Sequence, residues 1–413
     1  MFTPTPVEKQ YEQAAPDDLR ILVVGAGIAG ITVAQLLRND GRHPVLIERA
    51  DDGSHPGYML ALMPMAEPAL DDLGLRDRYR AASVQFEHYG MRSHTGRLMR
   101  VDPIGQILSR NGDYRGISRG ALIDVLTGDG CTVSFGSTVT ALTETPEAVR
   151  VCVSEAGVAH ELEFDLVIVA DGIHSDTREL VLGGAPVEVV DTEWGGWVAW
   201  APADDKLDTG EELWGAGNFV GLYPVAGGIG VFLGGPRSDT AAGAPAFAER
   251  FRKALKVVDP RIDRALDAVA TDPDPYYWAL TDCRAPQWTT GRTVLLGDAA
   301  AGFLPTAGIG AGMAMESAWI LAGVLRHADR RVLARLLGAY ERAQRPRVQT
   351  AQDNSRQLAN LMFHRSRTLA VLREVAMRFV SVETAIGPIR RLLREQLDPD
   401  AIAKSLVAGA VTE

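Results

Sequence analysis

Three short apolar runs punctuate the chain, and each ends in a turn: residues 21–24 before Gly25, residues 166–170 before Asp171-Gly172, and residues 293–296 before Gly297-Asp298. Unbroken Val, Ile and Leu over so few residues predict strands buried on both faces, as in a parallel sheet. After the first run, Gly25-Ala26-Gly27-Ile28-Ala29-Gly30 leads into a helix-forming segment, and residues 45–47 read as the next strand, closing on Glu48 and Arg49. Residues 84–117 instead alternate apolar and polar positions between Gly-rich turns, the habit of antiparallel strands. A short helix is predicted over residues 118–126, opened by Arg119, and two more strands near residues 131–135 and 149–154.

The pattern changes from about residue 187 to residue 280. Gly-rich strands there carry Trp194, Trp197, Trp200, Trp214, Phe219, Tyr223 and Phe232, with one polar helix over residues 244–270. Such a sheet has a broad apolar face able to roof a pocket for a flat organic molecule. Beyond it come a helix of small residues over 313–325 and a helix over 334–345 stopped by Pro346. Two or three amphipathic helices over 347–397 follow, broken at Gly387-Pro388.

These elements predict an α/β fold: a Rossmann-like dinucleotide-binding domain with an inserted β-rich substrate domain and C-terminal helices. The expected division is a flexible leader over residues 1–17 and a discontinuous binding domain from 18–185 and 285–350, with 57–117 partly lining the active site. A substrate sheet over 186–284 and a helical region over 351–413 complete it. The polar, turn-rich residues 51–56 should lie at the surface near the adenosine end.

Composition narrows the class. With 413 residues, 46% hydrophobic and 23% charged, a large core is available. The net charge of −11 argues against nucleic acid or an anionic membrane as the main partner. Cys131, Cys152 and Cys283 are too few and too scattered for a disulfide framework or a zinc motif, which fits a reducing cytoplasm. The eight histidines show no ligand spacing, so no metal is expected. The arginine-rich C-terminal helices raise membrane attachment or a partner groove as options, against plain packing with the arginines in water.

The candidate chemistry lies at the strand ends. Gly25 answers the tight turn, Gly27 the close approach of a pyrophosphate, Gly30 the close packing of helix on strand, and Glu48 stands where an acidic side chain holds ribose hydroxyls. Asp171 and Asp298 follow buried strands, where open α/β sheets place ligand-binding groups. Gly172 completes an Asp-Gly turn. The run from Gly297 through Pro305, Gly308, Gly310 and Ala311 lets backbone N–H groups come close to a ligand at a helix start. Arg119 is either a cap or a contact to an anion. Tyr58, Met59, Trp214 and Phe219 are candidates for the substrate pocket.

Taken together, the motifs resemble those of the FAD-dependent aromatic hydroxylases, the para-hydroxybenzoate hydroxylase-like group A flavoprotein monooxygenases. Gly25-x-Gly27-x-x-Gly30 with Glu48 is similar to their ADP-binding fingerprint. Residues 165–178, with Asp171-Gly172, Ser175 and Arg178, resemble their Asp-Gly motif, tied to both FAD and the nicotinamide cofactor. Gly297-Asp298 with Pro305, Gly308 and Gly310 resembles their Gly-Asp motif, whose Asp holds the ribityl chain. Arg119 matches the arginine opening a helix that touches FAD, and Tyr340-Glu341 with Arg345-Pro346-Arg347 matches a tail signature. The resemblance implies FAD, NADPH or NADH as electron donor, O2, an aromatic or polyketide-like substrate, and oxygen transfer through a flavin C4a-hydroperoxide. The expected assembly is a monomer or homodimer without an integral membrane segment. Two departures lie near the expected ring: Ala301 where the family has His, and Gly57-Tyr58-Met59 where many members have Gly-x-Gly.

Three rival readings stand beside this one, the first of them favoured by those departures. A non-redox cyclase would use the flavin structurally. A flavin-dependent halogenase is suggested by residues 197–202, although the spacing of their tryptophans is wrong. A flavin-dependent sensor would use the basic helices to bind a partner. No residue is assigned as the catalytic base.

Overall fold

The computed structural model describes residues 1–53 and 57–409. Of the expected surface turn at 51–56, residues 54–56 lie outside the described residues, as do 410–413 at the end of the helical region. The three apolar runs meet in one four-stranded parallel sheet, ordered Thr293–Leu295, Leu166–Val169, Ile21–Val24, Val45–Ile47. Every residue of these strands is buried, and all are Val, Ile or Leu except Thr293, whose hydroxyl donates to Glu144 at 2.9 Å. The helices Ile28–Asn39 and Gly310–Leu325 pack against each other beside this sheet.

A second, seven-stranded sheet runs in the order Tyr276–Arg284, Glu188–Pro202, Gly228–Pro236, Phe219–Val225, Thr209–Trp214, His88–Arg92, Leu98–Asp102. It therefore recruits two strands from the 84–117 stretch, joined through the one parallel pair in the sheet, Thr209–Trp214 with His88–Arg92. On one face Trp197, Leu213, Val220 and Leu233 pack under two helices, Ala244–Ala254 and Pro260–Thr271. The single helix expected over 244–270 is thus a pair: Leu255 is extended, and Asp259 caps the second helix by accepting from Arg261 N at 2.9 Å. On the other face Val198, Phe219 and Phe232 form a separate apolar cluster with Met362.

Two further expectations are corrected. Residues 1–17 are not a flexible leader: Phe2–Pro4 forms a parallel pair with Cys131–Val133, and Val7–Gln13 is a helix. The order comes from specific side chains. Phe2 packs edge-on to Phe135 with centroids 5.4 Å apart, and the buried Gln10 amide bonds both backbone groups of Leu46, at 3.0 and 3.2 Å. Pro346 does not stop its helix either; Leu333–Met362 runs straight through it. Contacts of the half-buried Glu341 and of the buried Gln344 and Arg347, on both sides of the proline, hold the helix, and tertiary packing outweighs the one hydrogen bond that proline forfeits.

Candidate functional site

A cavity of about 500 Å³ runs between the two sheets. At one end it is walled by the first glycine turn. Gly25 has φ +99°, and a Cβ there would meet the Ala170 carbonyl oxygen at 2.6 Å. At Gly30 a Cβ would sit 1.9 Å from the Gly25 carbonyl oxygen, so that glycine permits contact of helix and turn and does not itself line the cavity. Gly27 is different: a Cβ would meet nothing within 4 Å, because it borders the void. Ile28 and Ala29 follow on the cavity wall at the start of the helix Ile28–Asn39, which has no side-chain cap. Its first N–H groups are left for a ligand. Glu48 accepts from Ala26 N at 2.7 Å and from Ala50 N at 3.0 Å, which fixes its carboxylate at the cavity edge. Arg49 lies beside it, paired on the surface with Asp176.

The other two strand ends converge on the middle of the cavity. Asp171 accepts from Thr177 N at 3.3 Å through one carboxylate oxygen, while its buried Oδ1 has no partner. Gly172, with φ +91°, carries the chain along the wall. Asp298 is exposed to the void. Desolvation pushes its carboxyl up to about 6, and no described residue offers it a hydrogen bond. Gly297, with φ +60°, lies behind, where a Cβ would meet Ala29 at 2.7 Å. Pro305, Gly308, Gly310 and Ala311 continue the lining into the uncapped helix Gly310–Leu325.

Arg178 is absent from this wall. It is buried and braces the two loops from behind, donating to Ala299 O at 3.1 Å and Ile173 O at 2.9 Å. Arg119, at the start of the helix Arg119–Thr127, does reach the cavity. Its backbone N–H donates to Tyr58 O at 2.8 Å and its buried Nη1 has no partner. Burial raises the Tyr58 hydroxyl to about 12, partly offset by Arg119.

The far end is apolar. Tyr58 and Met59 approach from one side, with the Tyr58 ring 5.2 Å from that of Trp278. Phe219 and Phe232 come from the seven-stranded sheet, and Leu304, Met362 and Phe363 close the wall. Trp214 is not part of this lining. Its indole N–H donates to Glu212 at 2.7 Å, and Arg373 bonds its carbonyl from the opposite side. The same Glu212 carboxylate accepts from Tyr89 and Tyr223, each at 2.6 Å. Glu212 and Tyr223 went unassigned in the sequence, although Phe219-x-Gly221-x-Tyr223 has the two-residue period that puts Tyr223 on the cavity face with Phe219.

The FAD binding domain family matches residues 18–355. The chain belongs to this family. One relative, 3-amino-4-hydroxybenzoate 2-monooxygenase of Streptomyces cremeus, is 32% identical over 83% of this chain and 87% of its own. Salicylate hydroxylase of Pseudomonas putida is 29% identical over 82% and 84%. The crystal structure of Klebsiella pneumoniae HpxO with FAD and uric acid superposes with a TM-score of 0.79 at 23% identity, covering 91% of this chain and 96% of that one. The protein is a FAD-dependent monooxygenase.

The site suits FAD on its own geometry. The open space at Gly27 admits a pyrophosphate, and the partnerless Arg119 Nη1, Asp171 Oδ1 and Asp298 carboxylate offer one donor and two acceptors to a cofactor rich in both. Ala301 is buried and does not line the cavity. Among the described residues no helix is long and apolar enough to cross a membrane, and no cluster of metal-ligating side chains occurs.

Proposed function

We propose that the enzyme takes electrons from NADPH or NADH and uses O2 to hydroxylate an aromatic or polyketide-like small molecule held at the apolar end of the cavity. The observation that carries this reading is the continuity of one void from the Gly27 turn, past Asp298, to Phe219 and Phe232 on the large sheet. When bound there, FAD supplies the two-electron chemistry and the activation of O2.

The chain's own residues bind, orient and exclude water. Backbone N–H groups at the start of the helix Ile28–Asn39 take the pyrophosphate, and Glu48 takes ribose hydroxyls. Asp298 accepts from the ribityl chain, and Arg119 donates to an acceptor of the cofactor. Phe219, Phe232, Leu304, Met362 and Phe363 pack around a flat substrate and keep water from the reacting carbon.

Anaerobic stopped-flow absorbance tests the reading: the yellow holoenzyme is mixed with NADPH or NADH, with and without a panel of aromatic and polyketide phenols. The expected result is loss of the oxidised-flavin band, at least about tenfold faster with one compound class, a difference of roughly 1.4 kcal/mol in barrier. A flavin that stays oxidised with every donor and every compound would overturn it.

A further inference from the structure

Seven of the nineteen large apolar side chains that are exposed among the described residues fall between positions 361 and 380. They belong to the helix Arg367–Met377 and its flanks. Ala370 and Arg373 turn inward, whereas Val371, Leu372 and Val375 face solvent and Phe379, just beyond the helix, is 85% exposed. The helix is firmly held in this orientation. Arg373 bonds the carbonyls of Leu361 and Met362 at 3.1 and 3.3 Å and reaches Trp214 O, and Glu374 bonds His94 Nδ1 at 2.7 Å. An apolar face of this extent on a helix fixed by buried polar contacts marks an interaction surface.

Charge says what covers it. At 3.6 residues per turn, Arg367 and Arg378 flank the row of Val371 and Val375 along one edge, and neither has an acidic partner among the described residues. Residues 361–394 carry seven arginines and two glutamates in a chain whose net charge is −11; Arg373 is buried, Arg365 pairs with Asp239 and Arg390 with Glu383, so at the exposed apolar face the positive charge is that of Arg367 and Arg378. The sole acidic residue of the helix, Glu374, is engaged by His94, so a second copy laid against this face would bring arginine edges together with no carboxylate on the helix to meet them. Apolar centre and arginine edge are the two features of a helix lying in the surface of an anionic bilayer.

We propose that the helix Arg367–Met377, with Phe379, is an interfacial anchor that docks the enzyme on an anionic lipid surface. Met362 and Phe363, which line the cavity, stand immediately before it. Docking therefore sets the apolar end of the site close to the lipid, where an apolar substrate concentrates.

Co-sedimentation of the full-length holoenzyme with vesicles tests this, using phosphatidylcholine alone and phosphatidylcholine mixed with phosphatidylglycerol. The mixed vesicles should retain the protein. Leu372→Glu with Val375→Glu should abolish retention without changing flavin content or Tm, because both side chains are exposed. Arg367→Gln and Arg378→Gln should each weaken it about fivefold, and added salt should do the same. Absence of sedimentation, or equal sedimentation on phosphatidylcholine alone, would overturn the proposal. So would a lipid-free dimer, seen by sedimentation velocity, that the Leu372 and Val375 substitutions dissolve.

Discussion

Asp298 shows how one residue of the site is tuned by what surrounds it. Its side chain is exposed to the void, but it sits deep among surrounding protein and lacks a donor, and desolvation pushes its carboxyl up to about 6. A raised carboxyl favours the protonated form in the folded state, so without ligand Asp298 stabilises the fold only at low pH. That contribution is lost as pH rises from the ordinary carboxylate range through about 6. A ligand hydroxyl that donates to Asp298 reverses the preference, since hydrogen bonding to the charged form lowers a carboxyl pKa. FAD affinity should therefore tighten as pH rises through about 6, and Asp298→Asn should flatten that dependence and weaken FAD overall. Flavin fluorescence titrations between about pH 5 and pH 8 measure both; identical pH slopes in the two proteins would remove Asp298 from the cofactor. Position after a buried strand made this Asp's place on the cavity wall legible in the sequence. Glu212 was not: Trp214 stands two residues along its own strand, but Tyr89 and Tyr223 come from two other strands, and only the folded sheet brings them to it. Trp214 was misread for the same reason: its sequence position reveals an aromatic on a strand but not that the indole N–H is already taken.

At the scale of elements, local pattern was a good guide wherever a strand was buried on both faces, and a poor one where long-range contacts decide. Pro346 is the sharpest case. Proline in a helix interior costs about 3 kcal/mol, yet the helix Leu333–Met362 continues, because the next residue locks three helices together. Arg347 grips Glu316 of the helix Gly310–Leu325 through two hydrogen bonds, 2.8 and 2.9 Å, and also bonds the carbonyls of Leu392 and Glu395 near the C-terminal helices. Both partners are buried, so removing one strands a charge. Arg347→Ala should cost roughly 3–5 kcal/mol, seen in denaturant unfolding, whereas Arg347→Met combined with Glu316→Leu should recover most of the loss. If the single and double variants unfold alike, the pair does not carry the junction.

On the scale of the whole molecule, the FAD-binding sheet is assembled from strands near residues 21, 45, 166 and 293, with the large sheet built mostly from chain in between. A cavity between the sheets therefore depends on how well the outer strand Val45–Ile47 is held, because Glu48 leaves it directly for the site. The N-terminal segment does this holding. Gln10 acts as a surrogate strand partner for Leu46, and Phe2, which itself lines the cavity, fills the space beside Gly53 and Phe135. Composition could not reveal this, since polar residues 8–13 look solvated until Gln10 is seen to be 2% exposed. Gln10→Ala leaves the Leu46 N–H without its acceptor, while Leu46 O keeps its bond from Ser134 N at 2.9 Å; one buried unsatisfied group costs about 1–3 kcal/mol. Thermal unfolding should shift down by several degrees, roughly in line with a loss of 1–2 kcal/mol in a chain of this size. Removing residues 1–13 goes further, because it also uncovers the Cys131–Val133 edge and opens the cavity beside Gly53 and Phe135. That truncation should lower FAD affinity by about tenfold as well as the Tm, with Gln10→Ala affecting mainly the Tm. If the truncated protein keeps both its Tm and its FAD affinity, the segment is packing without consequence, and Glu48 is positioned by the sheet alone.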